Sequence, residues 1–162
     1  MPWRPMTPAD IPAVSAIAEI VHPGYPERDA VYRDRIGLWP EGCWIAARDD
    51  GLPLGYLLSH PWSEGAPPAL DIVLGALPAA PDTYYLHDLA LLPEARGTGL
   101  AREIVEATIG RAAPSFPNLS LVAVNRSTPF WSRFGFAVQH RPELAEKLAS
   151  YDADARYMVR RS

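Results

Sequence analysis

Cysteine is almost absent from this chain. Cys43 is the only one in 162 residues, so no internal disulfide and no cysteine-based metal cluster can form. A lone thiol of this kind is expected as a small buried residue at a strand start. Long apolar runs are also missing. No stretch approaches the ~18 residues of a membrane span, and Met1-Pro2-Trp3-Arg4 leads into no signal-peptide core, so a soluble, cytoplasmic protein without a membrane partner is expected. Basic excess is lacking too. The formal charge is −4 and the pI about 5.5, which argues against a nucleic-acid partner and mildly favours cationic ones. His22, His60 and His140 adjoin Pro or Arg and lack metal-ligand spacing, so solvent-facing or turn positions and no metal are expected.

What remains is the composition of a globular protein, 48% hydrophobic and 21% charged. The length suits one core, and a single domain over residues 1–162 is the simplest count.

Periodicity gives the order of elements. Trp3 to Thr7 reads as a strand, and Pro8-Ala9-Asp10 opens a helix with a stripe at Ile11, Val14, Ile17, Ala18 and Val21. His22 to Pro26 breaks it, and Glu27 to Ile36 reads as a second, charged helix. Trp44 to Arg48 and Leu54 to His60 form a hairpin through Asp49-Asp50-Gly51. The Pro- and Ala-rich stretch Pro61 to Asp82 is long for a loop, so it carries a short element or covers a site. Tyr84 to Leu92 is a strand, Gly99 to Ala112 a helix, Leu119 to Val124 a strand and Thr128 to Phe134 a short helix. Phe136 to His140, Pro142 to Ala149 and Ala155 to Arg160 complete a strand, helix, strand ending. Strands and helices mixed in this order predict an α/β fold, a three-layer α-β-α sandwich.

The most informative segment is the turn Pro93-Glu94-Ala95-Arg96-Gly97-Thr98-Gly99-Leu100-Ala101-Arg102. Pro93 ends a strand, two glycines let a ligand approach the backbone, and a helix starts with free N–H groups and a positive dipole end. That is an anion site suited to a pyrophosphate. The P-loop pattern fails because neither glycine is followed by Gly-Lys, and the dinucleotide pattern puts Arg102 where a third glycine belongs. Arg/Gln-x-x-Gly-x-Gly/Ala is met by Arg96, Gly99 and Ala101. A second segment follows at Asn125-Arg126-Ser127-Thr128-Pro129-Phe130-Trp131-Ser132-Arg133-Phe134-Gly135-Phe136. Together they resemble the GCN5-related N-acetyltransferases (GNAT), with Trp131 where that family usually has Tyr.

The resemblance implies the acyl-CoA N-acyltransferase fold, with a central mixed, mostly antiparallel sheet that opens in a V between its fourth and fifth strands. It also implies acetyl-coenzyme A as co-substrate. The pantetheine arm would be held by the backbone of Leu89, Ala90 and Leu91, and the phosphates by Arg96, Gly97, Thr98, Gly99, Leu100, Ala101 and Arg102. Asn125 would contact the coenzyme and Trp131 would border its thiol. His87 falls where the similar arylalkylamine N-acetyltransferases carry a histidine linked to proton removal, and a neutral imidazole suits that role. Strand alternation places Tyr85, His87, Leu89 and Leu91 on one face and Tyr84, Leu86, Asp88 and Ala90 on the other, making Asp88 a structural partner with a secondary claim on proton transfer. Trp39, Trp44, Tyr56, Trp62, Tyr84 and Tyr85 are candidates to line an acceptor pocket or to pack in the core.

The expected activity is direct acetyl transfer to a primary amine of a small molecule by a monomer or homodimer. The alternatives are a coenzyme-binding sensor or partner subunit that has lost transfer, and an enzyme acting on protein lysines or N-termini. A Pro61 to Asp82 stretch folded over the site would favour the small acceptor.

Overall fold

The computed structural model describes residues 2–162. Seven strands form one sheet: β1 (Trp3–Pro5), β2 (Cys43–Ala47), β3 (Pro53–Trp62), β4 (Thr83–Leu91), β5 (Asn118–Ala123), β6 (Ala137–Val138) and β7 (Arg156–Arg161). Their spatial order is β1-β2-β3-β4-β5-β7-β6. Every neighbouring pair is antiparallel except β4 and β5.

The helices are α1 (Ile11–Val21), α2 (Asp29–Leu38), α3 (Leu100–Ala112), α4 (Thr128–Ser132) and α5 (Ala145–Tyr151). They cover both faces because each carries one apolar stripe that must leave water. Ile11, Val14 and Ile17 of α1 and Tyr32 and Ile36 of α2 pack on Ile45, Tyr56, Leu58 and Ala90. Ile104 and Val105 of α3 and Trp131 of α4 pack on the opposite face with Leu57, Leu86, Leu119 and Leu121. Leu144 and Leu148 meet Tyr157 and Val159, which puts α5 on the same side as α1 and α2. Cys43 opens β2 and is fully buried.

Several boundaries differ by a few residues from the periodic reading, and two features bear on the site. Helix α2 begins at Asp29, because Arg28 holds an extended backbone. Its N–H and guanidinium donate to the Asp71 carboxylate. Glu27 therefore sits in the connector, free of the helix. The stretch after β3 contains no helix or strand before Thr83. It is held by side chains instead. The N–H groups of Leu74 and Gly75 donate to Asp34, Arg35 donates to the Ile72 carbonyl, and the Tyr151 hydroxyl donates to the Pro68 carbonyl.

Among the described residues no helix is long and apolar enough to cross a membrane.

Candidate active site

Strands β4 and β5 pair only over Tyr84–Leu86 against Leu119–Leu121. Beyond Leu86 they part, so the edge of Leu89-Ala90-Leu91 that faces β5 has no strand beside it, while Leu57, Tyr56 and Gly55 of β3 pair the other edge. A cavity of about 480 Å³ fills the gap. This is the V-shaped opening that the resemblance implied.

At one end of the cavity stands the glycine turn. A single helical turn, Pro93–Ala95, follows β4, and the chain then passes through Gly97 (φ 76°) and Gly99 (φ 87°) into α3. Both glycines occupy the left-handed region that a Cβ strains, and a Cβ at either would meet no protein atom within 4 Å. Internal packing therefore does not demand glycine here; the backbone path does. The Thr98 hydroxyl ties the turn to the Ala95 carbonyl. Arg96, Gly97 and Ala101 line the cavity. The Leu100 side chain turns into the core, and its carbonyl accepts from the Trp3 indole at 3.0 Å, fixing the start of α3 against β1. Arg102 lies on the outer helix surface, 3.7 Å from Glu106.

At the other end β4 is irregular. Leu58 pairs with Asp88, yet the next residue, Ser59, pairs with Leu86, so His87 is an extra residue in a β-bulge. The bulge overturns the alternation expected from sequence. His87 and Asp88 are adjacent in the chain, yet both reach the α1–α2 side, while Leu86 and Leu89 both pack toward α3. His87 Nε2 is 2.9 and 3.1 Å from the two Glu27 carboxylate oxygens, and both side chains are almost wholly buried. Asp88 lies 2.9 Å from His22 Nε2 and accepts from the Tyr56 hydroxyl at 2.5 Å.

Two acid–histidine pairs thus stand side by side in the cavity wall. Burial alone would raise the Asp88 carboxyl, but the hydrogen bond and charge of His22, with help from His87 and Tyr56, hold it below the ordinary range. Burial would likewise lower His22, and Asp88 reverses that, leaving His22 raised. Glu27 is held low in the same way: His87 and the Asp71 N–H outweigh its burial.

The far wall comes from the second motif. Asn125 follows β5 with φ 55° and Arg126 with φ 56°; the Asn125 N–H donates to Asp152 at 3.2 Å. Asn125 Oδ1 accepts from the Tyr25 hydroxyl at 3.2 Å. Trp131 is 8% exposed, set edge-on to Phe130 and Phe136, and borders the cavity. It is mostly core.

The structure brings Leu89, Leu91, Arg96, Gly97, Ala101, Asn125, Trp131, His87 and Asp88 around one cavity, whereas Leu100 packs its side chain in the core and Arg102 extends its own into solvent. Of the aromatic residues considered for an acceptor pocket, Tyr85 alone lines it. Tyr56 and Tyr84 are core, whereas Tyr25 and Tyr151 line the cavity unforeseen. His140 is exposed as expected, but the other two histidines considered are not. His22 caps α1 and enters the cavity, and His60 is buried in β3, donating from Nδ1 to the Pro61 carbonyl and pushed down to about 3 by burial. By sequence Glu27 is a helix charge and His22 part of a helix break. Nothing local marks them, since their partners lie 60 and 66 positions further along the chain.

Comparison with known proteins places this geometry. The model of the acetyltransferase (GNAT) family matches residues 13–136. L-2,4-diaminobutyric acid acetyltransferase of Halomonas elongata is 34% identical over 71 residues, a match that covers 44% of this chain and 29% of that protein's length. Solved structures share the fold at low identity. The GphF GNAT-like decarboxylase in complex with isobutyryl-CoA has a TM-score of 0.77 at 16% identity, covering 98% of each chain. Ard1 from Thermoplasma volcanium has a TM-score of 0.71 at 17% identity, covering 98% of this chain and 95% of that one. N-acetylglutamate synthase from Neisseria gonorrhoeae, complexed with coenzyme A and N-acetyl-glutamate, has 0.69 at 18%, covering 98% of this chain and 34% of that one. The family model spans well over half of the sequence and takes in both the glycine turn and the segment around Trp131, so the chain belongs to the acetyltransferase (GNAT) family.

Proposed function

We propose that the protein transfers an acetyl group from acetyl-coenzyme A directly to a primary amine of a small molecule. The observation that carries this reading is the shared cavity: the glycine turn stands at one end and the His87–Asp88 bulge at the other, with the unpaired edge of β4 between them. Pyrophosphate oxygens would meet the N–H groups at the start of α3 and the Arg96 guanidinium. Backbone groups of Leu89, Ala90 and Leu91 would hold the pantetheine arm and donate to the carbonyl oxygen as charge builds on it.

The acceptor reaches the thioester as a neutral amine, and His87 is the group assigned to remove its proton. Asp88 is committed to His22 and Tyr56, which suits a positioning role. The leaving thiolate departs as an anion, since a thiol pKa of ~8.5 makes that tolerable and the Trp131 indole is a donor without useful acidity. Transfer is direct. Cys43 is fully buried and its thiol is pushed up to about 12 by burial, so no cysteine acyl-enzyme is available.

A small acceptor is favoured by the roof. Leu70 lines the cavity, and Tyr151 and Glu27 hold this stretch at Pro68 and Asp71, which supports a covered pocket over an open peptide groove. The Halomonas elongata relative, named for a small amine, agrees with this. Trp131 in the usual Tyr position supports a second reading, a coenzyme-binding protein without transfer activity. Release of free thiol from acetyl-coenzyme A against a panel of small amines separates the two: amine-dependent release supports transfer, and tight coenzyme binding with no release supports the sensor.

A further inference from the structure

Glu27 touches two parts of the molecule that the family motifs do not mention. One carboxylate oxygen lies 2.9 Å from His87 Nε2, and the other lies 3.1 Å from the same nitrogen and 2.9 Å from the backbone N–H of Asp71, which it accepts. The Glu27 and His87 side chains are 4% and 1% exposed, so water does not compete for these bonds. An ionised carboxylate only accepts hydrogen bonds. Its presence against Nε2 therefore requires the proton of a neutral imidazole to sit on Nε2. Nδ1 is then the lone-pair nitrogen, and it is buried with no partner of its own.

We propose that Glu27 is the positioning residue of a Glu27–His87 dyad, fixing His87 as the Nε2–H tautomer and leaving the Nδ1 lone pair as the one that takes the acceptor amine's proton once the bound acceptor reaches it. The carboxylate also stabilises the imidazolium that forms when His87 takes that proton, because an opposite charge at hydrogen-bond distance favours the charged ring. Its second contact explains why it is held so firmly. The Asp71 N–H anchors Glu27 to the covering stretch, and Arg28 anchors Asp71 in turn through its N–H and guanidinium, so the dyad and the roof are built from one set of bonds. His22 and Asp88 form the neighbouring pair and leave the Glu27 carboxylate to His87. The proposal rests on the reading of His87 as base and adds the residue that makes it competent.

The test uses the isosteric Glu27→Gln variant, which keeps the shape of the site and removes the charge. Nitrogen-15 imidazole shifts of the wild type should show His87 in a single Nε2–H form. Glu27→Gln should mix the two tautomers, lower kcat by about tenfold or more and leave the coenzyme Kd unchanged. In a His87→Ala background the same change should cost nothing further in kcat, since residues acting as one unit are not additive. An Nδ1–H tautomer in the wild type, or full kcat in Glu27→Gln while His87→Ala is crippled, would overturn the dyad alone. Full activity in His87→Ala would overturn the underlying assignment of the base.

Discussion

Tyr25 and Asp152 are separated by 127 positions in the chain, yet the Tyr25 hydroxyl donates to the Asp152 carboxylate across the mouth of the cavity. The same hydroxyl lies 3.2 Å from Asn125 Oδ1, so one phenol links the α1–α2 connector to the β5 and α5 ends. The next residue back, Tyr151, clasps the other roof segment at Pro68. Two adjacent residues at the end of α5 thus secure both the α1–α2 connector and the stretch after β3.

Removing that link should loosen the roof more than the chemistry. Tyr25→Phe loses a hydrogen bond to a charged group, about 1.5–3 kcal/mol, while Asp152 keeps the N–H groups of Asn125 and Asp154. The expected outcome is a modest fall in the denaturation midpoint and a rise in the acceptor KM with kcat little changed. The Tyr25 phenol is pushed up to about 12 by burial and by Asp152, so it is no acid at neutral pH. A kcat collapse in Tyr25→Phe would show that it takes part in proton transfer after all.

The glycine turn gives a sharper prediction. Gly99 holds φ 87° and its missing Cβ would point into open space, where the proposed reading would seat the phosphates. Gly99→Val should weaken coenzyme binding at least tenfold, roughly 1.4 kcal/mol, and should carry a backbone strain cost of about 1–3 kcal/mol in stability. Titration calorimetry on the folded variant checks it. Wild-type affinity there would mean the phosphates sit elsewhere.

The His22–Asp88 pair makes stability depend on pH with a definite sign. His22 is raised on folding, so just above pH ~6.5 the native state holds more protons than the unfolded chain. Its contribution is complete below that pH and is lost as pH rises through the folded value. Asp88 is lowered, so its contribution is complete above ~3.9 and is lost as pH falls through its folded value. Urea unfolding of wild type and His22→Gln at pH 5.5 and 8.5 should therefore show a larger wild-type advantage at pH 5.5. An equal difference at both would mean that the pair carries no charge interaction.

The order of elements along the chain, the helix faces and the glycine turn are legible because each depends on local rules: apolar periodicity, proline at the strand end and glycines before a helix; the mostly antiparallel sheet and its V come from the family resemblance instead. The acid–histidine pairs are not legible in this way. Counting the pleat from Tyr84 assumes unbroken alternation, and the bulge at His87 shifts every later residue by one face, so Asp88 was assigned to the wrong side. Such a bulge is set by how β3 and β4 pair, not by His87 itself. The spacing of Glu27 fits the first residue of a charged helix, although the helix begins at Asp29. Glu27 is free to reach His87 only because Asp71, 44 positions away, anchors the connector there. Trp131, expected beside the coenzyme thiol, lines the cavity and also packs edge-on against Phe130 and Phe136.

The central claim, acetyl transfer with His87 removing the amine proton, is tested most directly by following free thiol and acetylated amine together in wild type and His87→Ala at saturating acetyl-coenzyme A. The account predicts matched appearance of both products in the wild type, turnover lowered about 10²-fold in His87→Ala, and a coenzyme Kd that stays the same in both. Undiminished turnover in a folded His87→Ala protein would contradict the assignment of the base, and thiol release without acetylated amine in the wild type would contradict transfer itself.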